Sequence, residues 1–113
     1  MKIESYEFGR IVIDAKSYST DVIIYPDRVR ANWWRKKGHE LHKEDIQEII
    51  EAKPEILIIG TGNSGYLKVS NKIRQYIESK GIELKVVRTQ EACTLFNKLS
   101  TDRKVVAACH LTC

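Results

Sequence analysis

Ile56-Leu57-Ile58-Ile59-Gly60-Thr61-Gly62-Asn63-Ser64-Gly65 is the stretch on which the fold turns. Its first four residues are all apolar, and a run that short reads as a strand buried on both faces. Pro54, two positions upstream, forbids a helix from running into it, and the glycines that follow bend the chain sharply. Downstream, Ser70 is placed to cap a helix whose inner face is Ile73, Tyr76 and Ile77, and Lys80-Gly81 is a C-terminal stop. Residues 84–87 give a second strand. Strand, helix, strand with one short crossover predicts a right-handed parallel βαβ unit.

The pattern extends outward in both directions. Thr89 is expected to cap a third helix with Ala92, Leu95, Phe96 and Leu99 on one face, and residues 105–108 form the last strand. Upstream, Ile46, Ile49 and Ile50 repeat at helical spacing, with Glu44 and Asp45 suited to the positive end of a helix dipole. Before about Arg35 the chain reads as short strands broken by turns. Tyr6 and Phe8 alternate with polar neighbours, Ile11-Val12-Ile13 follows Gly9, and Val22-Ile23-Ile24-Tyr25 stops at Pro26-Asp27. Residues 29–34 alternate less cleanly. The expectation is a single α/β domain over residues 1–113: a mixed central sheet with a βαβ crossover, helices over its second half, and an N-terminal β-meander closing the rest.

Composition bounds the function. The chain has 113 residues, 42% hydrophobic and 30% charged, with a formal charge of +4. That is ordinary globular usage with a mild basic surplus, which becomes a nucleic-acid footprint only if it gathers on one face. No apolar run approaches the roughly 20 residues needed to cross a bilayer. The N-terminus carries no charged-then-apolar leader, and Cys93, Cys109 and Cys113 are too few and too crowded for a disulfide framework. A soluble, cytoplasmic protein with reduced thiols is the expectation.

Three segments carry chemistry. Gly60, Thr61, Gly62, Asn63, Ser64 and Gly65 spell GxGxxG after a buried strand, a pattern whose backbone N–H groups can approach an anion closely. Arg88, at the end of the next strand, would add charge. A full dinucleotide site is disfavoured: the helix starts well after Gly65, no acidic residue ends the next strand, and the chain is too short for two mononucleotide-binding halves. The loop reads either as a tight turn needing positive φ or as a small anion site. Second, Asn32-Trp33-Trp34-Arg35-Lys36-Lys37-Gly38-His39 sets two indoles beside three cations. Strand alternation would send one indole to the core and leave the other at the rim, where Trp and Arg are typical interface anchors. Third, His39-Glu40-Leu41-His42 fails the spacing of a zinc motif, and Cys109-His110-Leu111-Thr112-Cys113 offers ligands but no second Cys pair to complete a tetrahedral set. No metal or cofactor is expected, and a redox or metal role for the latter segment stays open. No nucleophile elbow is present; Ser64 lacks the GxSxG spacing.

Over nearly its whole length the chain resembles a family of small uncharacterised α/β domains that includes the adipogenesis-associated domain protein of animals and, distantly, a mitochondrial complex I assembly factor. The resemblance rests on Tyr6-Glu7-Phe8-Gly9, Asp21-Val22, Trp34-Arg35 with Gly38-His39, Leu57-Ile58-Ile59-Gly60-Thr61-Gly62, Leu67-Lys68-Val69, Gly81-Ile82, Thr89 with Ala92 and Asn97, and His110-Leu111-Thr112-Cys113, in that order. It implies a three-layer fold and a protein-binding role, and no catalytic reaction.

The expected function is therefore a non-enzymatic protein-binding or scaffolding module whose interaction surface comprises Trp33, Trp34, Arg35, His39 and His110. The alternative is a small anionic ligand, bound or processed at the Gly60–Gly65 loop with Arg88, and with Arg35, His39 or His110 supplying charge or proton transfer. Nucleic acid is the least favoured partner, no membrane is implied, and a homo-oligomer stays open.

Overall fold

A computed structural model describes residues 1–113. Two sheets and three helices build it. The first sheet is an antiparallel meander of β1 (Ile3–Glu7), β2 (Arg10–Ile13) and β3 (Lys16–Tyr18). The second is the central sheet. Its five strands are β4 (Val22–Ile24), β5 (Val29–Arg30), β6 (Ile56–Gly60), β7 (Glu83–Val87) and β8 (Val105–Cys109). They lie in the order β5-β4-β8-β6-β7. β6 pairs parallel with both β7 and β8, while β4 runs antiparallel to β8.

The parallel return of β7 beside β6 is the arrangement the apolar run and its glycine bend predict. The meander needs correction. Val22–Ile24 and Val29–Arg30 belong to the central sheet, and the third strand of the meander is Lys16–Tyr18. The Trp33–Trp34 stretch is not a strand at all, since Asn32 adopts φ +58° and breaks the extension.

Period-two alternation divides the central sheet's side chains between two cores. Leu57, Ile59, Val106, Ala108 and Ile23 point to one side, where they meet Ile46, Ile49, Ile73 and Ile77 together with Trp33, Leu41 and Tyr25. That layer holds a 3-10 turn (Lys43–Ile46), α1 (Gln47–Ala52) and α2 (Asn71–Ser79). Ile56, Ile58, Val105, Ala107, Val22 and Ile24 point to the other side. They meet Ala92, Cys93 and Phe96 of α3 (Thr89–Leu99) and Ile3, Ile11 and Ile13 of the meander. The meander is thus half of the third layer, not an extension of the sheet.

Ser70 caps α2 as expected, its Oγ accepting from the Ile73 amide at 3.2 Å. Replacing it with alanine should lower stability by about 1 kcal/mol. Urea unfolding should show this as a lower midpoint at unchanged slope; a change in slope would point to a different denatured or native state instead. Thr89 is no cap: Arg88 holds the N-cap position of α3, and the Thr89 hydroxyl is used elsewhere.

Candidate functional site

β6, β7 and β8 end together at Gly60, Val87 and Cys109. Ligand and partner sites in α/β sheets tend to lie beyond the carboxyl ends of such strands. Here that end is covered by residues 110–113, and most of the polar contacts in the region converge on them.

Asp21 is the centre. It directly precedes β4, and the β4–β8 register, Val22 opposite Cys109, carries it one step further to lie beside His110. Its Oδ1 accepts from the Leu111 amide at 2.7 Å. Its Oδ2 accepts from Arg35 Nη2 at 2.7 Å and lies 2.8 Å from His110 Nδ1. The tautomer with a proton on Nδ1 satisfies the carboxylate and leaves Nε2 facing Thr112 Oγ1 at 3.4 Å. The side chains of Arg35, His110 and Asp21 are only 4%, 7% and 15% exposed. Burial pushes the Asp21 pKa up, but the hydrogen bonds from His110, the Leu111 amide and Arg35, with the charge of Arg35, outweigh it and hold the carboxyl below its usual range.

Arg35 is fixed from several sides. Nε donates to the Gly38 carbonyl at 2.9 Å, the guanidinium carbon lies 4.6 Å from the Trp33 ring centroid, and Nη1 is buried without an acceptor. Trp33 is itself buried, its Nε1 donating to the Asp45 carbonyl at 2.9 Å. The Asp45 carboxylate accepts from the amides of Lys36 and His42, so the basic segment is tied down along its length.

The glycine loop meets the 110–113 segment from the other side. Asn63 N donates to the Thr112 carbonyl at 2.6 Å, and Ser64 N and Tyr66 N donate to the Cys113 oxygen at 3.3 and 3.0 Å. Gly62 N donates to Thr89 Oγ1, which donates in turn to the His110 carbonyl at 2.6 Å. The amides of Gly62, Asn63 and Ser64 are therefore engaged by this chain's own atoms. Gly62 sits at φ +107°, and a Cβ there would come 2.5 Å from the Cys113 backbone. Arg88 lies over the far end of the loop, its Cγ and Nε 3.7 Å from where a Cβ on Gly65 would stand. Arg35, His39 and His110 do converge: His110 lies against Gly62, and Arg35 and His39 lie against His110, with the side chains of Arg35 and His110 buried and His39 exposed. The largest cavity, of 530 Å³, is at the opposite end of β6, between Pro54 and Gly81. Burial pushes the thiol of Cys93 up to about 12 and that of Cys109 well above its usual range, so neither is a ready nucleophile.

What this end offers to the outside includes large apolar rings. The exposed large hydrophobic residues are Met1, Phe8, Trp34 and Tyr66, the last three at 58%, 75% and 56%. Phe8 stands on the turn whose Gly9 amide binds the Leu111 carbonyl, Tyr66 follows the loop bonded to Cys113, and Trp34 precedes Arg35. His39 packs edge-on between Tyr66 and His110, with ring centroids 6.0 and 5.2 Å away. Asp21, Phe8 and Tyr66 were not singled out as site residues by sequence reasoning. Only the β4–β8 register could have signalled Asp21, and that requires knowing the sheet order.

A family model described as protein of unknown function (DUF498/DUF598) matches residues 3–110. NADH dehydrogenase [ubiquinone] 1 alpha subcomplex assembly factor 3 of Xenopus tropicalis is 26% identical over 109 residues, covering 96% of this chain and 59% of that protein. The Homo sapiens protein of the same name is 26% identical over 111 residues, with the same coverage. This chain thus spans about three fifths of these relatives' length. Among solved structures, conserved hypothetical protein PH1505 from Pyrococcus horikoshii OT3 matches over 100% of both chains, with a TM-score of 0.87 and 29% identity. No helix of this chain is long and apolar enough to cross a membrane.

Proposed function

The chain belongs to the DUF498/DUF598 family of unknown function, and from that premise we propose that it is a protein-binding module which docks through the carboxyl end of its parallel strands. The observation that carries the reading is that Phe8, Trp34 and Tyr66, all exposed, stand on chain segments tied to residues 110–113 through Gly9, Arg35 and the Tyr66 amide. Exposed aromatic side chains on a fixed frame lose little entropy on docking and are common interface anchors. The buried Asp21–Arg35–His110 cluster and the glycine loop supply the frame. Relatives named as assembly factors support the same reading. A cytoplasmic setting accords with three unpaired cysteines. An anionic ligand at the glycine loop would have to displace residues 110–113, because the amides of Asn63, Ser64 and Tyr66 already have acceptors.

A photo-crosslinking residue at position 34 should capture a protein from native extract, whereas the same residue at position 18 on the meander should not. Changing Trp34→Ala together with Tyr66→Ala should abolish partner retention while shifting stability by no more than about 0.5 kcal/mol, as expected of exposed side chains. Equal capture from positions 34 and 18 would refute the assignment of the face.

A further inference from the structure

The charges around the aromatic rings are unevenly matched. In the loops 31–42 and 61–70 and at Arg88, Glu40 is the one acid: it lies 3.0 Å from His42 Nε2 and is the backbone bridge partner of both Lys37 and Lys68. Lys36 is paired with Glu44 at 3.6 Å and Arg35 with Asp21. Lys37, Lys68 and Arg88 have no carboxylate within ion-pair distance, and all three are exposed. Backbone contacts fix where they stand. The Lys37 carbonyl accepts from Glu40 N, the Lys68 amide donates to the His39 carbonyl, and Arg88 covers Gly65. Trp34, His39 and Tyr66 therefore share their loops with Lys37 and Lys68, and Arg88 stands beside the loop that carries Tyr66.

Resting on the docking face assigned above, we propose that its occupant is an acidic peptide segment of another protein, carrying aromatic or aliphatic anchors between its carboxylates. The apolar anchors would pack on Trp34, Tyr66 and Phe8, and the carboxylates would meet Lys37, Lys68 and Arg88. Rim charges of this kind set partner choice and association rate more than total affinity. The rings also argue against a base-stacking surface. His39 stands perpendicular to Tyr66, at an interplanar angle of 90°, and so offers no continuous platform for successive bases.

The test is selection of random phage-displayed peptides on the intact protein, followed by binding of a representative synthetic peptide. Selected sequences should be enriched in Asp and Glu beside Leu, Phe or Trp. The variant Lys37→Glu/Lys68→Glu/Arg88→Glu should bind that peptide about tenfold or more weakly. A variant with the same change of charge elsewhere, Lys2→Glu/Lys53→Glu/Lys98→Glu, should bind it within about twofold. Neutral or basic selected peptides whose binding still needs Trp34 and Tyr66 would overturn the charge inference and leave the docking face standing. Binding indifferent to Trp34→Ala with Tyr66→Ala would overturn both. Tighter binding of oligo(dT) than of any selected peptide, lost in the same aromatic variant, would assign the face to nucleic acid instead.

Discussion

Asp21→Ala is expected to destabilise the protein by about 3–5 kcal/mol, a large share of the roughly 5–15 kcal/mol that holds a domain of this kind. The substitution removes the acceptor of three groups at once: the Leu111 amide, Arg35 Nη2 and His110 Nδ1. Arg35 suffers most, because its guanidinium is buried, already has one unpartnered nitrogen, and cannot shed its charge. Exposed pairs such as Arg10–Glu7 give a scale for comparison; their loss costs about 0–1 kcal/mol. Thermal unfolding at neutral pH should therefore show a fall in Tm of about 10 °C or more for Asp21→Ala and little for Glu7→Ala. The pH dependence has a definite sign. A carboxyl held below its ordinary range in the folded state stabilises fully above that range, and its contribution is lost as pH falls through the folded value. The wild type should lose stability steeply on acidification below about pH 4, and Asp21→Ala should show a shallower acid limb. Parallel acid limbs would mean that Asp21 does not carry this charge.

The residues that placed the fold correctly were those whose local pattern and tertiary role agree. Ile56 to Ile59 are buried on both faces, so an uninterrupted apolar run was a sufficient sign. Ser70 and Gly81 bound α2 through backbone chemistry that needs no tertiary context. The meander misled for the opposite reason. Lys16–Tyr18 is an exposed edge strand without an apolar alternation, and the turn before it puts Asp14 and Ala15 at φ +49° and +68°. A primed hairpin turn is announced by Asn-Gly or Asp-Gly, and alanine in the second position gives no such notice. Val22–Ile24 looks like any other short strand, and nothing in its own residues says that its partner is β8, over eighty residues away.

The same distinction divides the site. Trp33 and Trp34 were separable by the expectation of one inward and one outward indole, and the burial of the first and exposure of the second follow it even though the backbone is not a strand. Arg35 and His110 were visible as chemistry-bearing residues, yet their burial was not, since it depends on Asp21 arriving from the antiparallel neighbour. The glycine loop shows most plainly what a motif leaves open. Its amides do bind oxygen acceptors, as the pattern implies, but the acceptors belong to the chain itself: Val87 and Thr89 for Thr61 and Gly62, and the 110–113 backbone for Asn63 and Ser64. Sequence spacing identifies donors; it does not say which acceptor the fold delivers to them.

Gly62→Ala should be the second severe substitution, and a series of glycines isolates the reason. Gly38 has no positive φ and open space around its missing side chain, so Gly38→Ala is expected to be neutral or slightly stabilising. Gly81 sits at φ +78° with nothing within 4 Å; Gly81→Ala carries backbone strain alone, on the order of 1 kcal/mol. Gly62 combines φ +107° with a Cβ 2.5 Å from the Cys113 carbonyl carbon and 2.8 Å from His110 Cδ2. The first of these neighbours is backbone and cannot rotate away, so the close contact adds about 1–3 kcal/mol to the strain or expels residues 110–113. Expulsion has a signature that strain lacks. The amides of Asn63, Ser64 and Tyr66 lose their acceptors at Thr112 and Cys113, and their hydrogen exchange should accelerate in Gly62→Ala beyond what its global stability explains, but not in Gly81→Ala. The turns bearing Phe8 and Tyr66 are bonded to the same segment, so partner retention should fall with that protection. Were Gly62→Ala no more costly than Gly81→Ala, with the three amides still protected, the segment would not be the keystone of the docking face.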